Sequence, residues 1–181
     1  MRSTLFLKDT ADQFRSLKKT ADAAILQITE AQFFAQLDEE SNSIAIIMKH
    51  VAGNLLSRWT DFLTSDGEKP NRNRDSEFIV EEGESRNSLM EEWEAGWRCV
   101  IEAVESLAPG DLERTILIRS QPHSVVKAIH RSLTHCAYHV GQIVYLAKHF
   151  AGPGWRTLTV PRGKSEEFAA KMRRKFEGQQ A

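Results

Sequence analysis

Two cysteines, Cys99 and Cys136, are all that this chain of 181 residues carries. That excludes a disulfide framework, and because both fall in segments with helical periodicity they read as reduced, packed thiols of a cytoplasmic protein. Long apolar runs are missing as well. The longest, Ile44-Ala45-Ile46-Ile47-Met48, falls far below the ~20 residues that cross a bilayer. The stretch Met1–Asp9 offers no apolar segment of signal-peptide length, so a soluble protein with no membrane partner is expected. An excess of charge is absent too: 24 Lys and Arg stand against 25 Asp and Glu. No global basic field therefore argues for nucleic acid. There is no internal repeat and no low-complexity segment, and strand-forming sequence is too scarce for a sheet-based domain.

What is present is helical periodicity. Phe14, Leu17, Ala21, Ala24 and Ile25 place a first amphipathic helix over about residues 6–27. Thr29 and Gln32 form a capping box for a short second helix. Ser41-Asn42-Ser43 supplies N-cap chemistry for a long helix to about Leu63, with Ile44, Ile47, Val51, Leu55 and Phe62 as its core stripe. Asp66-Gly67 stops it. Residues 66–84 are rich in charge, Gly and Asn and read as a long loop. Ser88-Leu89-Met90-Glu91 reads as a capping box near the start of a further helix to about Leu107, whose stripe includes Trp93, Trp97 and Val100. Pro109-Gly110 ends that helix. Thr115–Arg119 has β character, and Ser124 is placed to cap a last long helix running to about Phe150. After Gly152-Pro153-Gly154 comes an irregular stretch, then a short basic helix from near Ser165. The expected fold is all-α: a four-helix bundle over residues 1–155 with short accessory helices and a minor extended segment. Residues 156–181 form an extension on or beside it.

The chemistry lies in three histidines. His135 and His139 are four residues apart, so on a helix their azimuths differ by about 40° and they lie one turn apart. Such a pair can share one metal ion, and His is the commonest metal ligand among side chains. His50 sits near the middle of another helical segment, beside Ile47 and Val51, with the small or polar Gly53, Asn54 and Ser57 near its face. Three imidazoles from two facing helices match a first-row metal site with coordination positions left open, which suits catalysis better than a closed structural site. His130 is rotated about 140° from His135 and should point elsewhere, while His149 lies ~20 Å along the axis.

The runs Met48-Lys49-His50-Val51-Ala52-Gly53-Asn54, Trp59-Thr60-Asp61-Phe62-Leu63, Asp66-Gly67-Glu68-Lys69-Pro70 and His135-Cys136-Ala137-Tyr138-His139-Val140-Gly141-Gln142-Ile143 resemble the DinB-like (YfiT-like) superfamily of metal-binding bundles, in its bacterial branch. The resemblance covers about residues 3–150, and Pro161-Arg162-Gly163 also fits. It implies a DinB-like four-helix bundle, often a homodimer, holding one divalent zinc, nickel or iron-like ion on His50, His135 and His139. It also implies a small-molecule substrate and either thiol S-transfer with a low-molecular-weight thiol or hydrolysis. No catalytic acid or base carries over. Asn54 and Gln142 are candidates to orient a ligand or line the pocket. The alternative is a non-catalytic bundle that uses the metal for stability or sensing.

Other features have plainer readings. The four tryptophans read as core or interface residues, and Trp93 with Trp97 would sit either in a two-fold interface or in the core of one chain. Cys136 reads as packing, and Lys171–Lys175 as a solvated helix face. Lys69, Arg72 and Arg74 are candidates to meet an anionic substrate over the site.

Overall fold

The computed structural model describes residues 2–177. It is all-α with a minor extended segment: α1 Arg2–Ile25, α2 Glu30–Phe34, α3 Ile44–Trp59, α4 Arg86–Ser106, α5 Val125–Ala151 and α6 Ser165–Phe176, with a hairpin of β1 Thr115–Ile118 and β2 Gln121–Ser124. The expected caps form at α2, where Thr29 and Gln32 exchange side-chain and backbone bonds, at α3 under Ser43, and at α5 under Ser124. Two boundaries differ from expectation. Ser85, not Ser88, caps α4, and Ser88 instead takes the N3 place of the box, its hydroxyl accepting from the Ser85 N–H at 2.9 Å. The second difference is at α3, which stops at Trp59 rather than Leu63. Asp61 turns into the left-handed region at φ 47°, and its carbonyl accepts from the Ser65 N–H at 2.9 Å, closing a turn in place of another helical one.

The four long helices make a ring in which α3 packs on α4 and α5, and α1 packs on α5 and α4. The α3–α4 seam is the tightest. A Cβ at Gly96 of α4 would stand 2.9 Å from the Ala52 Cα of α3, so the two backbones touch there and only glycine fits without displacement. Phe14 of α1 meets Trp59 of α3 and Trp97 of α4 edge-on at 6.4 and 6.3 Å. Trp93 and Trp97 are both fully buried inside the chain, which removes the aromatic face of α4 as an argument for a dimer.

The α3–α5 seam is the least closely packed side of the ring, and the hairpin and the 66–84 segment lie across it. The hairpin turns through Arg119 and Ser120, both left-handed at φ 54° and 60°. Two consecutive positive-φ residues make the twist that a two-residue connection needs, at some steric cost for non-glycine side chains. Asp66 offsets that cost by accepting from both backbone N–H groups, at 2.8 Å from Arg119 and 2.7 Å from Ser120. No helix among the described residues is long and apolar enough to cross a membrane.

Candidate metal centre

His50 lies two turns into α3 on its buried side, and His135 and His139 lie in the middle of α5. Ligand nitrogens of the three rings all fall within 4.8 Å of one another. The ring contacts are mutual, with centroids 5.2 Å apart for His50–His135, 5.1 Å for His50–His139 and 4.6 Å for His135–His139. The fold therefore brings together the three histidines that the sequence singles out.

Neighbours decide which nitrogen faces inward for His50 and His139, while the Nδ1 of His135 is buried with no partner among the described residues. His50 donates its Nδ1–H to Glu77 Oε2 at 2.8 Å, which leaves Nε2 with a free lone pair. His139 donates Nδ1–H to Gln142 Oε1 at 2.7 Å, and its Nε2 is buried with no partner among the described residues. His135 brings Nε2 to 3.2 Å from the Nε2 of His50. Two nitrogens bound tetrahedrally at ~2.05 Å to one ion stand about 3.3 Å apart, so this separation fits a shared ion. Imidazoles whose outer nitrogens are held by a carboxylate or amide oxygen are the usual arrangement around a bound metal. The residues present fit a divalent ion.

Electrostatics keeps the two α5 rings neutral. Burial, reinforced by the nearby His139 and His50 and by Arg72 and Arg58, pushes His135 down to about 3. Burial, against the Gln142 hydrogen bond, lowers His139 to about 4. Both rings thus keep their lone pairs at neutral pH. Burial works to raise the Glu77 carboxyl, but hydrogen bonds from His50 and Arg72 and the Arg72 charge outweigh it and hold the group below its ordinary range. The carboxylate is then a pure acceptor, which fixes the His50 tautomer.

Glu77 and Arg72 come from the 66–84 segment; Glu77 was not legible as part of the centre, and Arg72 was singled out only as a cation facing the substrate. Glu77 sits in a 3-10 turn, Asp75–Phe78. Arg72 grips it with Nε to Oε1 at 2.7 Å and a terminal nitrogen to Oε2 at 2.9 Å. Gly53, one turn beyond His50, makes the approach possible, since a Cβ there would stand 2.5 Å from Glu77 Oε1. Phe78 packs on the His50 ring at 4.9 Å, and Tyr138 lies on His139 at 4.3 Å.

Beside the rings opens a cavity of about 580 Å³ lined by His50, His135, Asn54 and Tyr138 among others. Asn54 is thus a pocket residue, while Gln142 acts on His139 from the other side. Of the three loop cations singled out in the sequence, Arg72 and Arg74 line this cavity. Lys69 does not, since its ammonium is bound by Ser65 Oγ at 2.8 Å and the Asp66 carbonyl at 2.6 Å. His130 lines the cavity but lies outside the histidine cluster, as does His149.

A family model described as a protein of unknown function, DUF1572, matches residues 1–164. The chain belongs to that family. The matched region takes in α3, α5 and the segment carrying Glu77, and stops just before α6. Among curated proteins nothing matches.

Cys136, next to His135 in this DUF1572 chain, is excluded from the centre. It is fully buried, and burial pushes its thiol up to about 12. At pH 8 the native protein should therefore react with a chromogenic disulfide reagent only at the half-buried Cys99, the second thiol appearing after denaturation. Rapid titration of both thiols in the native state would contradict this placement.

Proposed function

We propose that the protein is a divalent-metal-dependent enzyme whose centre is held by His50, His135 and His139, acting on a small molecule in the adjoining cavity by thiol transfer or hydrolysis. The observation that carries this reading is the convergence of imidazole nitrogens, two of them oriented by Glu77 and Gln142, beside that cavity. A closed structural site would be expected to enlist a fourth protein ligand. Among the described residues the cluster has three members, and the nearby Glu77 is turned to His50 and Arg72 instead. The resemblance to the DinB-like bundles points the same way and suggests zinc, nickel or an iron-like ion.

When bound on three neutral imidazoles, such an ion supplies Lewis acidity that lowers the pKa of a coordinated water to near 7, or deprotonates a coordinated thiol. The chain's own residues do the rest. Glu77 and Gln142 hold two ligand rings in the productive tautomer. Arg72 keeps Glu77 ionised, and Phe78 and Tyr138 cover the rings. Asn54, on the cavity wall, offers an amide to orient the reacting molecule.

Cobalt substitution distinguishes the chemistries. Loaded with Co(II), the protein should show visible ligand-field bands. If it transfers thiols, adding a low-molecular-weight thiol should produce a sulfur-to-cobalt charge-transfer band in the near ultraviolet, absent in His50→Ala. A cobalt spectrum indifferent to thiols, together with turnover of an ester or amide panel, favours hydrolysis. Metal uptake with neither thiol binding nor turnover would overturn the enzyme reading in favour of a structural or sensing metal.

A further inference from the structure

The cavity beside the histidines is cationic in a chain that is not. Arg58, Arg72, Arg74, Arg119, Lys127 and Arg131 all line it, and among the described residues no Asp or Glu does, although the chain's formal net charge is −1. These cations divide into two groups. Arg58, Arg72 and Arg119 are already matched. Glu68 pairs with Arg58 and Arg119 at 2.8 Å each, and Glu77 with Arg72. They hold the loop and the hairpin in place.

The second group is matched weakly or not at all. Lys127 has no carboxylate partner among the described residues. Among the described residues Arg131 reaches only the ring of His123, at 3.4 Å. Arg74 has the exposed Asp75 at 3.9 Å and otherwise lies over the Phe78 ring, its guanidinium carbon 4.8 Å from the centroid. Lys127, Arg131 and His135 follow one another at four-residue intervals on α5 and all line the cavity. Along the helix axis Arg131 is thus ~6 Å and Lys127 ~12 Å from His135. Two cations without a carboxylate partner among the described residues, Lys127 and Arg131, thus run along α5 towards His135. In a concave site such a row raises the local concentration of anions and fixes their orientation.

We propose that the substrate or co-substrate of this centre is a small organic anion, a phosphate ester or a polycarboxylate. Its charged end is held by Lys127 and Arg131, with Arg74 closing over it, and its reacting group lies about one to two helical turns away at the histidines. The proposal rests on the reading of the histidine cluster as a reaction centre. Lys127 and Arg131 are substrate-binding residues here, and both are exposed.

The test is calorimetric titration of the protein, with whatever metal it carries, at low salt. Glycerol 3-phosphate serves as the phosphate probe, succinate as the carboxylate probe and glycerol as the neutral control. At least one anion should bind, glycerol should not, and the Lys127→Gln/Arg131→Gln double variant should bind about tenfold more weakly or worse with unchanged metal content. Binding of glycerol 3-phosphate alone assigns the phosphate-ester class, and binding of succinate alone assigns carboxylates. No binding of either anion, or equal affinity in the double variant, overturns the proposal. His139→Ala should keep the anion binding, and its loss there would place the anion on the metal instead and also overturn it. A wild type that holds no metal yet binds the anion through Lys127 and Arg131 would sink the metal reading while leaving the anion site standing.

Discussion

Glu77→Ala is expected to weaken metal retention by about 10- to 100-fold and to destabilise the fold by roughly 3 kcal/mol, the lower end of what breaking a buried ion pair costs. Two groups lose their partner at once. His50 loses the acceptor at 2.8 Å that fixes its tautomer and ring plane. Arg72, whose side chain is 5% exposed, loses both of its short bonds. Glu68, at 3.4 Å from Arg72, compensates in part, which is why the lower end applies. Chelator competition and urea denaturation of the metal-free protein read the two effects separately. Glu77→Gln should keep part of the metal affinity, because its amide oxygen still accepts from His50, while the loss of charge still weakens the hold on Arg72. Unchanged chelator sensitivity in Glu77→Ala would show that the carboxylate has no part in orienting the ligand.

Gly96→Val is expected to cost about 1–3 kcal/mol through overpacking, although a β-branched residue is the better helix former of the two. At this position the atoms in the way are backbone, the Ala52 Cα at 2.9 Å and its carbonyl oxygen at 3.0 Å. No rotamer change relieves the clash, so α3 and α4 must separate. Because Ala52 lies between His50 and Gly53, the shift moves α3 at the centre itself. The thermal midpoint should fall and chelator sensitivity rise together. Gly141→Ala is the control, since a Cβ there meets nothing within 4 Å, and it should be neutral or mildly stabilising. A stable Gly96→Val would mean the helices are not in backbone contact.

The parts of the centre that follow a helical period were legible in the sequence. His135 and His139 stand out by the four-residue interval, whereas His50 joins them through the resemblance to the DinB-like bundles rather than through its own surroundings. The bundle followed from four amphipathic stripes and their caps. What escaped lies off the helices. Glu77, and Arg72 as its partner, reach the centre through a loop whose charged sequence has no period, and a residue's partner across 27 positions leaves no local trace. Gly53 was the available signal: a glycine inside a helix, one turn from a candidate ligand, marks a close approach. The end of α3 was misplaced for a similar reason, since the left-handed Asp61 is a tertiary choice that the apolar stripe through Phe62 conceals. The cationic row on α5 was hidden in plain composition, because acidic residues elsewhere cancel its charge in the total.

The most direct measurement is elemental analysis of protein purified without a polyhistidine tag, wild type beside His139→Ala, with circular dichroism to confirm that both are folded. The account predicts about one zinc, nickel or iron-like ion per wild-type chain and a loss of most of it in the variant, whose remaining two imidazoles no longer close the site. Folded wild-type protein that stays free of divalent metal after reconstitution, or a His139→Ala protein that keeps its full complement, would contradict it.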